Sequence, residues 1–170
     1  LKLKDIDELI MGQVLTSATG QNPARQAAIQ AGLPIEKPAY IVNQVCGSGL
    51  RSIAAGYQSI MSNDSDVVIA GGQESMSNAP YMLPKGRSGY RMGHGQVLDH
   101  MMLDGLEDAY EHKAMGCYAQ DTADEYGLGR EAMDEFAIHS LTKAQAAIKD
   151  GFFKDEITPV TYSTRKGDVT

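Results

Sequence analysis

Cys46 is the residue whose type and setting best suit covalent chemistry. A short apolar run (Tyr40, Ile41, Val42, Val45) leads into it, and Gly47-Ser48-Gly49 follows at once. Beyond the glycines, Leu50, Ile53, Tyr57, Ile60 and Met61 fall at helical spacing. This places a thiol where a strand gives way to a helix, beside glycines that let the chain turn sharply. Free N–H groups and the dipole at a helix N-terminus favour negative charge. A cysteine there is expected to ionise more readily, and the thiolate is the nucleophile. The same N–H groups stabilise the oxyanion formed when a thiolate attacks a carbonyl. The competing reading is that Cys46 is a small buried hydrophobe, as most free cysteines are.

The second cysteine, Cys117, follows Met115-Gly116 at the start of another helical pattern and is the rival nucleophile. Lys113 is its one near cation in sequence and no base is implied, so a structural role is favoured. Two cysteines outside any C-x-x-C pair make no disulfide framework and suit a reduced, cytoplasmic setting. His94, His100, His112 and His139 lack metal-ligand spacing, so no metal is expected. Neither G-x-x-x-x-G-K-[ST] nor G-x-G-x-x-G after a strand occurs, which argues against those modes of nucleotide binding. The layout around Cys46 is the sulfur counterpart of the strand–nucleophile–helix turn of serine hydrolases.

The elements that must position Cys46 read as an α/β fold. Glu8 to Leu15 is apolar enough for a buried strand. Asn22-Pro23 starts a helix of small residues that Gly32 and Pro34 end. The strand into Cys46 and a helix to about Ser62 come next, then a strand over Asp66 to Ala70. Alternation of this kind implies a parallel sheet covered by helices. Cys46 then falls at the C-terminal end of a strand, where such sheets bind ligands. The central helix has one face of large apolar residues and another of Ser52, Ala55, Gly56 and Ser59, a pattern expected of a helix packed on both sides. Gln73 to about Leu106 reads as an irregular loop interrupted by prolines and glycines. Helices are predicted over Ala119 to Tyr126 and Arg130 to Asp150, the second with a core-facing stripe, followed by a strand over Glu156 to Tyr162.

Bulk properties narrow the classes. The 170 residues suffice for one domain with a core, and the net charge of −7 argues against general nucleic-acid binding. No apolar run approaches the ~18 residues of a membrane span, and no basic region with an apolar stretch marks a secretory signal. The chain opens on a leucine already running toward a strand and is expected to be an internal piece of a longer protein.

Several motifs together resemble the thiolase family. V-N-Q-V-C-G-S-G-L at Val42 to Leu50 and V-V-I-A-G-G-Q-E-S-M-S at Val67 to Ser77 look like its nucleophile segment and the following strand. G-Q-N-P-A-R-Q-A-A at Gly20 to Ala28 and R-K-G-D at Arg165 to Asp168 fit the same family. The resemblance implies a fragment of the N-terminal half: residues 1–75 as part of the layered core, and 76–170 as a truncated loop domain that helps form tetramers and covers the substrate. It makes Cys46 the acyl carrier, with its own N–H as half of an oxyanion hole. Leu106 and Met115 match positions that line the pantetheine and acyl pocket. Acyl-CoA or CoA is the implied partner, as substrate and not as a tightly bound cofactor, and the full-length protein is implied to be a dimer or tetramer. Arg87, Arg91, Arg165 and Lys166 are candidates for the CoA phosphates.

The implied reaction is reversible condensation of two acetyl-CoA to acetoacetyl-CoA. The segment Arg91 to Leu106 resembles the acetoacetyl-CoA-forming members, but Ala114 stands where many of those have histidine. A 3-ketoacyl-CoA thiolase of fatty-acid degradation therefore remains an alternative, as does a non-catalytic acyl-CoA-binding or assembly module. A ketoacyl synthase of the same fold is a third reading. The family's G-H-P histidine, C-G-G-G cysteine and N-E-A-F asparagine lie in its C-terminal half. None of these motifs occurs in this sequence, so the piece alone is expected to be nearly inactive.

Overall fold

The computed structural model describes residues 1–170 and divides into two compact units, Leu1–Met115 and Gly116–Thr170. The first holds three parallel strands, β1 (Glu8–Gly12), β2 (Ala39–Val42) and β3 (Val68–Gly72), in the order β2-β1-β3. Helices α1 (Pro23–Gln30) and α2 (Ser48–Met61) connect them. The α/β class and the parallel sheet expected from the alternation are both present.

Side-chain alternation along β1 assigns each helix a face of the sheet. Leu9 belongs to a cluster with Ile6, Ala24, Ala28, Leu33 and Ala39, against which Met11 and Ile41 pack, so α1 covers this side. Ala24 and Ala28 lie one turn apart and let α1 approach closely. Asn22 caps the helix, its Oδ1 accepting from Arg25 N–H at 3.2 Å while its Nδ2 donates to Ala39 O at 2.8 Å. Arg25 is committed to this scaffold through Lys37 O and Ile35 O at 2.6 and 2.5 Å.

The opposite face carries Gly12, and the β1–β3 register sets Val68, Ala70 and Gly72 beside Glu8, Ile10 and Gly12. Here α2 lies down with its small residues. Ser52 is fully buried and donates to Gly71 O at 2.7 Å, and Gly56 faces Val68 and Ala70. The large apolar residues turn outward, Leu50 being 74% and Tyr57 64% exposed. The expectation of a helix packed on both sides is therefore corrected within this chain: only the small face is covered. The reason is distance, since a helix that nearly touches the sheet backbone has no room for Leu or Tyr between them.

At the other end of the sheet, Asp7 ties β1 to the approach to β3. Its Oδ2 accepts from Val67 N–H at 3.0 Å and Asp66 N–H at 2.9 Å, and Lys37 Nζ lies 3.2 Å from Oδ1. These bonds, chiefly the one from Val67, hold its carboxyl below the usual range. A depressed pKa contributes stability that is present above the unfolded value and lost as pH falls through the folded one. Asp7→Asn should therefore be less stable than the parent at pH 7, with the difference closing below the ordinary carboxylate range. Urea midpoints at neutral and acid pH check this; a gap that widens on acidification would refute it.

The region after β3 is irregular, as expected, but not featureless. A 3-10 turn (Met76–Asn78) leads to the short antiparallel pair β4 (Tyr81–Met82) and β5 (Leu98–Asp99), and a π-helical turn covers Met102–Leu106. Residues 76–115 pack into the same compact unit as the sheet.

Helix α3 runs Met115–Glu125 across the unit boundary; the second unit continues with α4 (Arg130–Lys149) and the hairpin β6 (Tyr162–Thr164)–β7 (Gly167–Val169). Two expectations fail here. No residue of α4 is buried, so its stripe does not form a core within this unit. A segment this short offers little to pack against. The strand expected over Glu156 to Tyr162 is replaced by a turn and irregular chain, and the hairpin begins where that strand was to end. The turn expected over Ser163 to Gly167 is present as the return of this hairpin, and Gly167, at φ +116°, permits it.

Candidate active site

The chain leaves β2 at Val42 and makes a knot of short-range hydrogen bonds before α2 begins. Asn43 Oδ1 accepts from Val45 N–H at 2.9 Å. Ser48 Oγ accepts from Gln44 N–H at 2.8 Å and donates to Val45 O at 2.5 Å. Gly47 N–H and Ser48 N–H donate to Gln44 O and Val45 O at 3.0 and 3.1 Å. Inside this knot Val45 adopts φ +50°, a left-handed conformation that a β-branched residue rarely takes. Cys46 follows directly and is exposed. Two of the N–H groups near the start of α2 are thus engaged by the turn itself, which narrows the donors left to face a ligand.

Cys46 lines a cleft of about 410 Å³ at the carboxyl ends of all three strands. Gly12, Gln13, Val14 and Leu15 come from the end of β1, Val45 and Cys46 from the loop after β2, and Gly72, Gln73 and Glu74 from the end of β3. Met76, Met101, Gly105 and Leu106 supply further wall. The lining is largely apolar with a few placed polar groups, as in small-molecule sites. Its polar floor is tightly bonded: Glu74 accepts from Val14 N–H and Leu15 N–H, each at 2.9 Å, and Gln73 Nε2 donates to Gln13 Oε1 at 2.9 Å.

The residues singled out from sequence are only partly brought together. Leu106 shares the cleft with Cys46. Met115 begins α3, is 47% exposed and is not among the lining residues. Cys117 is exposed on α3 in the other unit. Arg87 and Arg91 are exposed in the loop, and Arg165 and Lys166 occupy the turn of the second unit's hairpin. No histidine lines the cleft: His94 borders a separate hollow with Lys85 and Tyr90, His112 pairs with Glu107 at 2.8 Å, and His139 is on α4. No group of three or more His, Cys, Asp or Glu is placed to hold a metal ion. Glu74 and Gln13, which line the cleft, drew no functional notice from sequence; the Gly-Gly-Gln-Glu run after β3 was the available signal for the first.

The family model of the thiolase N-terminal domain matches residues 1–170. The chain belongs to the thiolase family. This thiolase chain is 54% identical over 168 residues to the acetyl-CoA acetyltransferase of Chromobacterium violaceum, covering 99% of itself and 43% of that protein. It is 47% identical to the probable acetyl-CoA acyltransferase of Staphylococcus aureus, with the same coverages. Among solved structures, the Bacillus anthracis acetyl-CoA acetyltransferase superposes with a TM-score of 0.94 at 37% identity, over 99% of this chain and 43% of that one. The thiolase chain therefore spans less than half the length of these relatives. No helix in it is long and apolar enough to cross a membrane.

Proposed function

We propose that the protein bearing this chain is an acetyl-CoA acetyltransferase that carries the acyl group on Cys46. The observation that supports this best is the exposed thiol at the start of α2, inside an apolar cleft at the strands' carboxyl ends. In the first stage Sγ attacks the thioester carbonyl, the CoA thiolate departs, and an acetyl-enzyme thioester remains. The main-chain N–H of Cys46 is proposed as half of the oxyanion hole. In the second stage another acetyl-CoA loses a proton beside its carbonyl, its carbanion attacks the acetyl group, and Cys46 leaves as thiolate with acetoacetyl-CoA formed. No histidine lines the cleft, and its one carboxylate, Glu74, accepts from Val14 N–H and Leu15 N–H.

Leu106 and Met115 are proposed to line the path of the pantetheine and acyl chain. CoA thioesters are substrates in this reading, with no tightly held cofactor, and the whole protein is a cytoplasmic dimer or tetramer. Ala114 in place of the frequent histidine keeps the degradative 3-ketoacyl-CoA thiolase of fatty-acid metabolism as a second reading. The lack of a histidine along the cleft favours a third, in which the 170-residue piece binds acyl-CoA without turning it over.

Incubation with acetyl-CoA, an acid quench and mass analysis decides between transfer and binding. One acetyl group on the Cys46 peptide, absent from Cys46→Ala, is expected. No adduct at any pH, or one that survives in Cys46→Ala, would overturn the proposal.

A further inference from the structure

His100 is 3% exposed and sits just after β5, its backbone N–H bonded to Pro80 O at 3.1 Å. Both ring nitrogens are engaged. Nε2 accepts from Ser17 N–H at 3.3 Å, so the ring's proton is on Nδ1, which faces Asp104 Oδ2 at 2.5 Å. One imidazole thus joins two segments distant in sequence: the loop leaving β1 and the π-helical turn Met102–Leu106. Both segments are cleft wall, because Val14 and Leu15 come from the first and Gly105 and Leu106 from the second. They also meet directly: a side-chain carbon built on Gly105 would lie 3.4 Å from Leu15 Cδ2. The β1 loop is already held at Val14 and Leu15 by Glu74. The imidazole bridge is the one hydrogen-bonded link between the π-helical turn and that loop. Turns of this kind are marginal in isolation and concentrate near functional sites.

We propose that His100 is a positioning residue: through Ser17 and Asp104 it clamps the π-helical turn against the β1 loop and so sets the width of the cleft at Cys46. The clamp is a property of the fold, and its consequence for acyl chain length rests on the proposed acetyltransferase reading. Releasing it lets Leu15 and Leu106 draw apart, and the cleft then admits larger groups.

The test reads width without relying on turnover. Cys46 is alkylated with iodoacetamide and with the bulkier N-phenylmaleimide, and exposed Cys117 in the same molecules serves as reference for each reagent. His100→Ala should raise the bulky-to-small rate ratio at Cys46 about tenfold, the effect of losing one part-buried, charge-assisted hydrogen bond. The ratio at Cys117 should not move. His100→Asn, which keeps a donor toward Asp104, should recover part of the difference. Asp104→Ala, at a partly exposed position, should reproduce the change and decides the matter if His100→Ala does not fold. An unchanged ratio in Asp104→Ala, or equal rises at both cysteines, would overturn the clamp. In thiolysis assays the same variants should shift preference toward longer 3-oxoacyl-CoA. A parent protein inert to every acyl-CoA would defeat the functional reading while the alkylation ratio still judged the clamp.

Discussion

Cys46→Ala should lower turnover of acetyl-CoA by roughly 10⁴-fold or more in the intact protein, the scale of removing a covalent nucleophile. A methyl group cannot form the thioester, so the reaction loses the intermediate that divides one hard step into two. The cleft itself should survive, because Cys46 is exposed and the turn around it is held by Asn43 and Ser48. The loss should therefore fall on kcat with KM little changed. Cys117→Ala is the matching control and should behave as the parent. Steady-state assays of the two variants settle the assignment: retained turnover in Cys46→Ala, or its loss in Cys117→Ala, would move the nucleophile elsewhere.

The second large effect is on stability. Gly12→Ala adds a carbon that would lie 2.3 Å from Ser48 C and 2.4 Å from Gly49 N. Both are backbone atoms at the start of α2, so no side-chain rotation relieves the contact. Either β1 or the helix must move, and overpacking of this severity costs about 3 kcal/mol or more. For a chain of this size each kcal/mol lowers the melting temperature by about 2–4 °C. The variant should melt roughly 6–12 °C below the parent, and a melting point unchanged by the substitution would show that α2 is not seated as described.

Much of this fold was legible because its signals are local. Asn22-Pro23 marked the start of α1, and the glycines after Cys46 marked the passage from β2 into α2. The parallel sheet followed from alternation of strand and helix, with the order β2-β1-β3 supplied by the structure. What stayed hidden depends on distance between segments. The stripe of Leu50, Ile53 and Tyr57 looked like a buried surface, yet the covered side of α2 is Ser48, Ser52 and Gly56. Periodicity shows that a helix has two faces; the gap to the sheet decides which one it can use.

The candidate site divides in the same way. Cys46 stood out through its neighbours in the chain, and Leu106 through the thiolase resemblance. Glu74 reaches back about sixty residues to Val14 and Leu15, and His100 reaches back eighty-three to Ser17. No window of sequence contains either pair. His100 had been weighed as a metal ligand and set aside, and its bonds to Ser17 and Asp104 required the fold to bring those groups near.

The left-handed backbone at Val45 bears on how the neighbouring thiol meets a reactant. Such a conformation costs about 1–2 kcal/mol outside glycine. Here it is met once, during folding, by the bond from Val45 N–H to Asn43 Oδ1 and that from Ser48 Oγ to Val45 O. A thioester arriving at the cleft would find the peptide beside the sulfur preorganised, with no loop rearrangement to be charged against each catalytic cycle.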